Sequence, residues 1–235
     1  MIEIKNFSKS YNDKKVINNI SFDVKDGEIF AFIGHNGAGK TTTIKSIVGI
    51  LDFEEGDILV NGKSIKKDPI NCKLEMAYVP DNPDLYENMT AIDFINFVCD
   101  MYNTPLETRK ENIQKYAKMF EIEENLKDDL SSFSHGMKQK IALISALSHN
   151  PNVLVMDEPF VGLDPKSVYD MKEVMRQMAK EGKTIFFSTH ILDVAEKLCD
   201  RVAIIKKGDI VKIGDMKEIK GDESLEQVFL ELGEE

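Results

Sequence analysis

Gly34-His35-Asn36-Gly37-Ala38-Gly39-Lys40-Thr41 is the stretch from which the rest of this chain is read. It fits GxxxxGK[ST] in full, and it stands between an apolar run, Ile29 to Ile33, and helical signals that extend from Lys40 to about Ile50. Glycines let the backbone curl so that successive N–H groups face inward, where they hold phosphate oxygens. A helix opening at Lys40 aims its positive end at the same anion. Lys40 is placed to reach terminal phosphates, and the Thr41 hydroxyl suits a Mg2+ ion. Such a loop needs a second, carboxylate-bearing strand. Asn152 to Met156, followed by Asp157-Glu158, supplies one. Asp157 at the strand end is the expected metal ligand, and Glu158 the base that orients and deprotonates a water.

Around these two stretches the chain alternates strand and helix signals. Ile2 to Phe7 alternates apolar and polar residues, and Phe22-Asp23-Val24 leads through Asp26-Gly27 into Glu28 to Ile33. Asp26-Gly27, Asn61-Gly62 and Lys207-Gly208 each read as hairpin turns, because both turn residues must tolerate positive φ. From Ala91 to about His149 the pattern is helical, with Ile113, Tyr116, Ala117 and Phe120 on one face. Thr184 to Phe187 reads as another buried strand. Met171, Val174, Met175 and Met178 have the spacing of a packed helix face, and residues 222–232 read as a short terminal helix with no chemistry assigned. Strand, helix, strand, helix after a helix-rich insertion predicts an α/β core carrying a helical lobe.

The 235 residues hold 30 Lys+Arg against 41 Asp+Glu, a net charge of −11. That balance argues against nucleic acid bound through a broad basic face. The longest hydrophobic run, Ile29 to Ile33, is five residues, far short of the roughly 18 that suggest a membrane span. Cys72, Cys99 and Cys199 are isolated, so neither a disulfide framework nor a zinc site is expected. No apolar leader opens the chain, and an acidic, intracellular protein is expected.

Taken in order along nearly the whole chain, these motifs resemble the nucleotide-binding subunits of ABC transporters. The resemblance implies a P-loop NTPase (RecA-like) core with an antiparallel β subdomain and a helical signature subdomain. It implies one ABC ATPase domain over 1–235, with 1–81 and 151–221 as core plus β subdomain, 82–150 as helical subdomain and 222–235 as a C-terminal helix. Nucleotide-binding residues would be Tyr11, stacking on adenine, and Gly34 through Thr41 with Thr42. Ser134-His135-Gly136-Met137 resembles the family signature, which caps the γ-phosphate held by a second protomer. Asp164 lies in a segment similar to the family's D-loop, and His190 matches its switch histidine. Thr41, Asp157 and Asp81 would hold Mg2+, while Glu158 and His190 would be catalytic.

Three positions depart from the family pattern. Asp81 stands where Gln is common and is expected to serve as γ-phosphate and metal sensor. His135 replaces a signature glycine and must turn its side chain away from phosphate, and Met137 replaces the signature Gln. An Asp at this position with an SHGM-type signature resembles exporter ATPases of the ABC-2 kind from bacteria and archaea. The activity so implied is ATP hydrolysis powering transport, with ATP and Mg2+ as cofactors. The implied partners are a multispanning permease and an ATP-driven head-to-tail dimer, homomeric or heteromeric, with no nucleic acid. The chain would sit in the cytoplasm, peripheral on the inner face of the membrane. The loop from Asp81 to Glu87 and the helices of 91–125, with Phe94, Phe97 and Tyr102, are the expected docking surface. A non-transport ABC ATPase would carry coiled-coil insertions, a second cassette or basic surfaces. A P-loop kinase or GTPase would leave the signature and His190 unexplained.

Overall fold

The computed structural model describes residues 1–12 and 14–234, with side chains through Leu232. Its strands form two sheets. The larger has the order β10 (Asp209–Asp215), β9 (Arg201–Lys206), β3 (Ile29–Ile33), β8 (Thr184–Thr189), β7 (Val153–Asp157) and β6 (Met76–Val79). Strands β9, β3, β8, β7 and β6 run parallel, and β10 pairs antiparallel on the edge. The smaller sheet is antiparallel, with β1 (Ile2–Tyr11) between β2 (Lys14–Val24) and β4 (Glu55–Val60), and β5 (Lys63–Ser64) beyond β4.

The central strands β3, β7 and β8 are buried along their whole length because both faces are covered. Along β3, Ile29, Ala31 and Ile33 join one core, while Phe30 and Phe32 join another. Phe22, Phe30 and Phe32 surround Phe186 with ring centroids 5.7–6.1 Å away. This aromatic layer fastens β2 of the small sheet to the large one. The opposite face is covered by α6 (Pro165–Lys180), whose Met171, Val174, Met175 and Met178 are all buried as their spacing predicts.

Two of the three predicted hairpins form. Asn61-Gly62 joins β4 to β5 and Lys207-Gly208 joins β9 to β10, all four residues at positive φ. Asp26-Gly27 does not form one. Gly27 has the expected φ of +73°, but β2 and β3 leave it for different sheets, since β3 pairs in parallel with β8 and β9. A turn signal specifies the bend and not the partner of the strand that follows it. Short α2 (Pro69–Glu75), preceding β6, is an element that the pattern did not announce.

The lobe is built from α3 (Ala91–Met101), α4 (Leu106–Met119) and α5 (His135–Ser148). Ile113, Tyr116, Ala117 and Phe120 are buried in it, as the spacing predicts. Thr90 caps α3 by accepting the Asp93 N–H at 3.3 Å. His149 follows α5 and stacks on Tyr102 with centroids 3.6 Å apart and planes 7° apart. Burial lowers its pKa from the ordinary 6.5 to about 4. A group depressed in the fold contributes stability that is present above its unfolded value and is lost as pH falls. The native state should therefore lose about 2 kcal/mol between pH 7 and pH 5 through His149. His149→Phe keeps the stack and removes the proton site, so urea titrations at pH 7 and pH 5 should differ by about that much less than in the parent.

Candidate functional site

Parallel strands deliver their carboxyl ends to one edge of a sheet, and ligands bind in that crevice. Here β3 ends at Gly34, β6 leads to Asp81, β7 ends at Asp157 before Glu158, and β8 ends just before His190. Four segments remote in sequence thus meet at one edge.

The loop after β3 leads into α1 (Lys40–Ile47). Gly34 has no room for a side chain, since a Cβ there would fall 2.5 Å from the Ile205 carbonyl. Gly39 holds φ +113° and passes close to Ile17 of β2, where a Cβ would fall 2.4 Å from its Cδ1. The Lys40 side chain is buried and its Nζ donates to the carbonyls of Gly34 at 2.8 Å and His35 at 3.4 Å. A cavity of about 410 Å3 opens at this loop, lined by Val16, Asn36, Gly37, Gly39, Lys40, Thr41, Thr42, Asp81 and Glu158. Tyr11 is not among the residues lining it. That ring is exposed at the end of β1, with Lys9 Nζ 5.4 Å from its centroid. Val16 supplies the apolar side chain next to the loop.

Asp157 is buried, and its Oδ1 accepts the Ser188 hydroxyl at 2.5 Å across the β7–β8 pair. Glu158 adopts φ +49°, a left-handed conformation that costs a non-glycine residue about 1 kcal/mol or more. What holds it there is specific. Its N–H donates to the Ser188 hydroxyl at 3.1 Å and the Ser188 carbonyl at 3.2 Å. Its carboxylate accepts the His190 N–H at 3.2 Å and lies 2.9 Å from His190 Nδ1. It also faces Lys40 Nζ at 3.5 Å, both side chains being nearly buried. The acid, the ammonium and the imidazole predicted from sequence therefore meet around one carboxylate.

The Asp81 carboxyl is pushed above the ordinary range, first by burial and then by the negative charges of Asp157 and Glu158. Among the described residues, no group of three or more His, Cys, Asp or Glu is arranged to hold a metal by itself. The donors nearby, Thr41 hydroxyl and carboxylates, are hard oxygens. They fit a cation that shares its shell with phosphate oxygens and water, as Mg2+ does. The uncompensated acidity felt at Asp81 is what such a cation would relieve.

Residues 134–137 sit apart from this cavity. Ser134 is exposed and caps α5 by accepting the Met137 N–H at 3.3 Å. None of Ser134, His135, Gly136 and Met137 lines the cavity of its own loop, among the described residues. Asp164 lies beyond Glu158 and caps α6, accepting the Ser167 N–H at 2.9 Å.

Two features escaped the sequence reading. Ser188 binds both acids, and only its place at the polar end of a buried strand could have flagged it. The terminal helix (Leu225–Glu234) reaches the glycine loop, with the Phe229 and His35 centroids 4.6 Å apart. The predicted segment ran to 235, and Glu235 lies outside the described residues.

A parallel sheet with a glycine loop and lysine after one strand, and paired acids after another, defines a P-loop NTPase architecture. The particular lineage follows from comparison. Residues 17–161 match the model of the ABC transporter family. The ABC-type transporter ATP-binding protein EcsA of Bacillus subtilis is 34% identical over 100% of this chain and 97% of its own length. The linearmycin resistance ATP-binding protein LnrL of the same species is 36% identical, over 91% of this chain and 69% of its own. A solved ATP-binding subunit of an ABC transporter superposes with TM-score 0.96 at 33% identity, covering 99% of both chains. The chain belongs to the ABC transporter family and has the architecture of its ATP-binding subunits.

Ser188→Ala removes the hydroxyl that Asp157 accepts and Glu158 donates to. Leaving a buried carboxylate short of a partner costs about 1–3 kcal/mol. The variant should show a matching drop in its urea midpoint at unchanged m-value.

Proposed function

We propose that the chain binds and hydrolyses ATP to power transport, in the sense of export, through a separate permease. The observation that carries this reading is the meeting of Lys40, Glu158 and His190 beside the glycine loop. The triphosphate lies in the loop from Gly34 to Thr42, where N–H groups and Lys40 hold its oxygens. Glu158 takes a proton from a water as that water's oxygen bonds to the γ-phosphorus and the bond to the β-bridging oxygen breaks, giving ADP and phosphate. His190 holds the Glu158 carboxylate from one side and Lys40 from the other, so the base cannot swing away. Thr41, Asp157 and Asp81 would hold Mg2+, which would supply charge neutralisation at the phosphates. Residues 1–81 and 151–221 act as the catalytic body and 82–150 as the lobe bearing the signature.

The exposed signature turn at the head of α5 presents a capped helix N-terminus that its own loop does not use. A second copy, placed head to tail, brings that turn to the first copy's nucleotide. ATP then favours the closed pair, and hydrolysis releases it. For the permease, Tyr86, Phe97 and Met101 form an exposed apolar group on the lobe. Phe94, expected there too, is buried in the core, and Tyr102 is engaged with His149. Among the described residues no helix is long and apolar enough to cross a membrane. Attachment to the inner membrane face would therefore run through this partner. The LnrL resemblance supports export.

Glu158→Gln keeps the shape of the side chain and removes the base. Chromatography of products should show ADP and phosphate from the parent and at least a hundredfold less from the variant. Light scattering at saturating ATP should find the variant dimeric, and a monomer there would refute the head-to-tail pair. A cation displaces the proton from a carboxyl whose pKa is raised. The Mg2+ concentration for half-maximal turnover should therefore rise as pH falls into the raised range of the Asp81 carboxyl. Asp81→Asn should flatten that dependence.

A further inference from the structure

We propose that Lys140 and His135 are positioning residues that clamp the signature turn to the segment carrying Glu158, so that both move as one body. This rests on the ATPase reading above and deepens it. Residues 158–164 join β7 to α6 without helix or strand structure. Their first end is fixed by Ser188 and by Phe160, which is buried edge-on against Phe187 at 5.7 Å. Their far end is held by α5. Lys140 Nζ lies 2.8 Å from Asp164 Oδ2, with the lysine side chain largely covered. One turn earlier, α5 comes so close that a Cβ on Gly136 would fall 2.8 Å from the Gly162 carbonyl. Gly136 and Lys140, four residues apart, share one face of the helix. The His135 ring closes the third side, since a Cβ on Gly162 would meet its Cδ2 at 2.7 Å and Nε2 at 3.1 Å. Gly162 itself holds φ +80°, so an L side chain there would be strained as well as crowded.

This explains what His135 does in place of a signature glycine: its side chain packs on the neighbouring segment. The consequence is mechanical. In the head-to-tail pair, the signature turn of one copy seats on its partner's nucleotide while its own Glu158 serves its own. Through the clamp, closure at one site is felt by the base at the other. Lys140 also holds the Asp164 carboxyl well below the usual carboxylate range, with Ser167 contributing next.

The test uses the full chain with Lys140→Ala, Lys140→Arg, Asp164→Asn and the Lys140→Ala/Asp164→Asn double variant. Asn keeps the cap on α6, so loss of charge is separated from loss of the helix start. We expect kcat to fall about 3- to 20-fold in Lys140→Ala and Asp164→Asn, with KM within about twofold. Arginine should recover most of the loss, and the double variant should be no worse than either single one. Normal kcat in both single variants, multiplicative losses, or a loss borne by KM would each overturn the clamp. Hydrogen exchange at amides 158–164 without nucleotide reads the contact apart from turnover. It should quicken in Lys140→Ala and His135→Ala, and unchanged exchange would overturn the proposal. If exchange quickens while the parent shows no turnover that Glu158→Gln abolishes, the ATPase reading fails, and the positioning role falls with it.

Discussion

One buried hydroxyl sets the geometry on which the site depends. Ser188 faces Asp157 across β7 and β8, donates to that carboxylate and accepts the N–H of Glu158. The second bond, with the Ser188 carbonyl beside it, turns the chain into a left-handed conformation just past the strand end. Consecutive acids on a continuing strand would point to opposite faces, and only one could address the loop. The turn at Glu158 lets the second acid meet Lys40 and His190 while the first stays in the sheet. Shifting β8 by one residue would turn the Ser188 side chain to the other face of the sheet and take its hydroxyl away from Asp157.

Electrostatics then decide what the crevice can hold. Asp81, Asp157 and Glu158 lie close enough to raise the carboxyl of Asp81, while Lys40 is the cation within reach of Glu158. Three carboxylates against one ammonium do not attract a polyphosphate by charge alone. The loop answers part of this with N–H groups and the start of α1, which bind anions without carrying net charge. In the proposed reaction the rest would come from a divalent cation and from a second copy's helix N-terminus. The same chain displays such a terminus at Ser134, outside the lining of its own cavity. Incompleteness of the half-site is thus a matter of charge as well as shape.

Much of this was legible in the sequence, and the limits are instructive. The glycine loop and Asp157-Glu158 could be read because each is a local pattern whose chemistry follows from residue type, while His190 was reached only through the family resemblance. Asn61-Gly62 and Lys207-Gly208 were read correctly for the same reason, since a two-residue turn dictates the pairing of strands it directly joins. Asp26-Gly27 carries the same signal and misled, because β3 finds its partners at β8 and β9, more than 150 residues away. Ser188, Val16 and the packing of Phe229 on His35 escaped notice on similar grounds. Each is an ordinary residue made consequential by a neighbour that only the fold supplies. His135 was read half-way: its side chain had to avoid phosphate, but nothing local said that Gly162 would receive it.

The distribution of order around Glu158 argues for where motion can enter the site. Toward the sheet, its backbone and carboxylate are held by Ser188 on β8, by Lys40 at the start of α1 and by His190 just past β8. Those elements cannot shift singly without breaking buried packing. Away from the sheet, the chain runs through residues 158–164 with no ladder of its own, and its next firm attachments are Asp164 on α6 and Lys140 on α5. Helix α5 belongs to the lobe, and it also packs against β6, whose end carries Asp81. A displacement of the lobe therefore reaches the base by one path and the metal-facing acid by another, both through α5. A rigid sheet joined to a lobe that touches it near Glu158 and near Asp81 is the arrangement that the proposed switching of hydrolysis by closure needs.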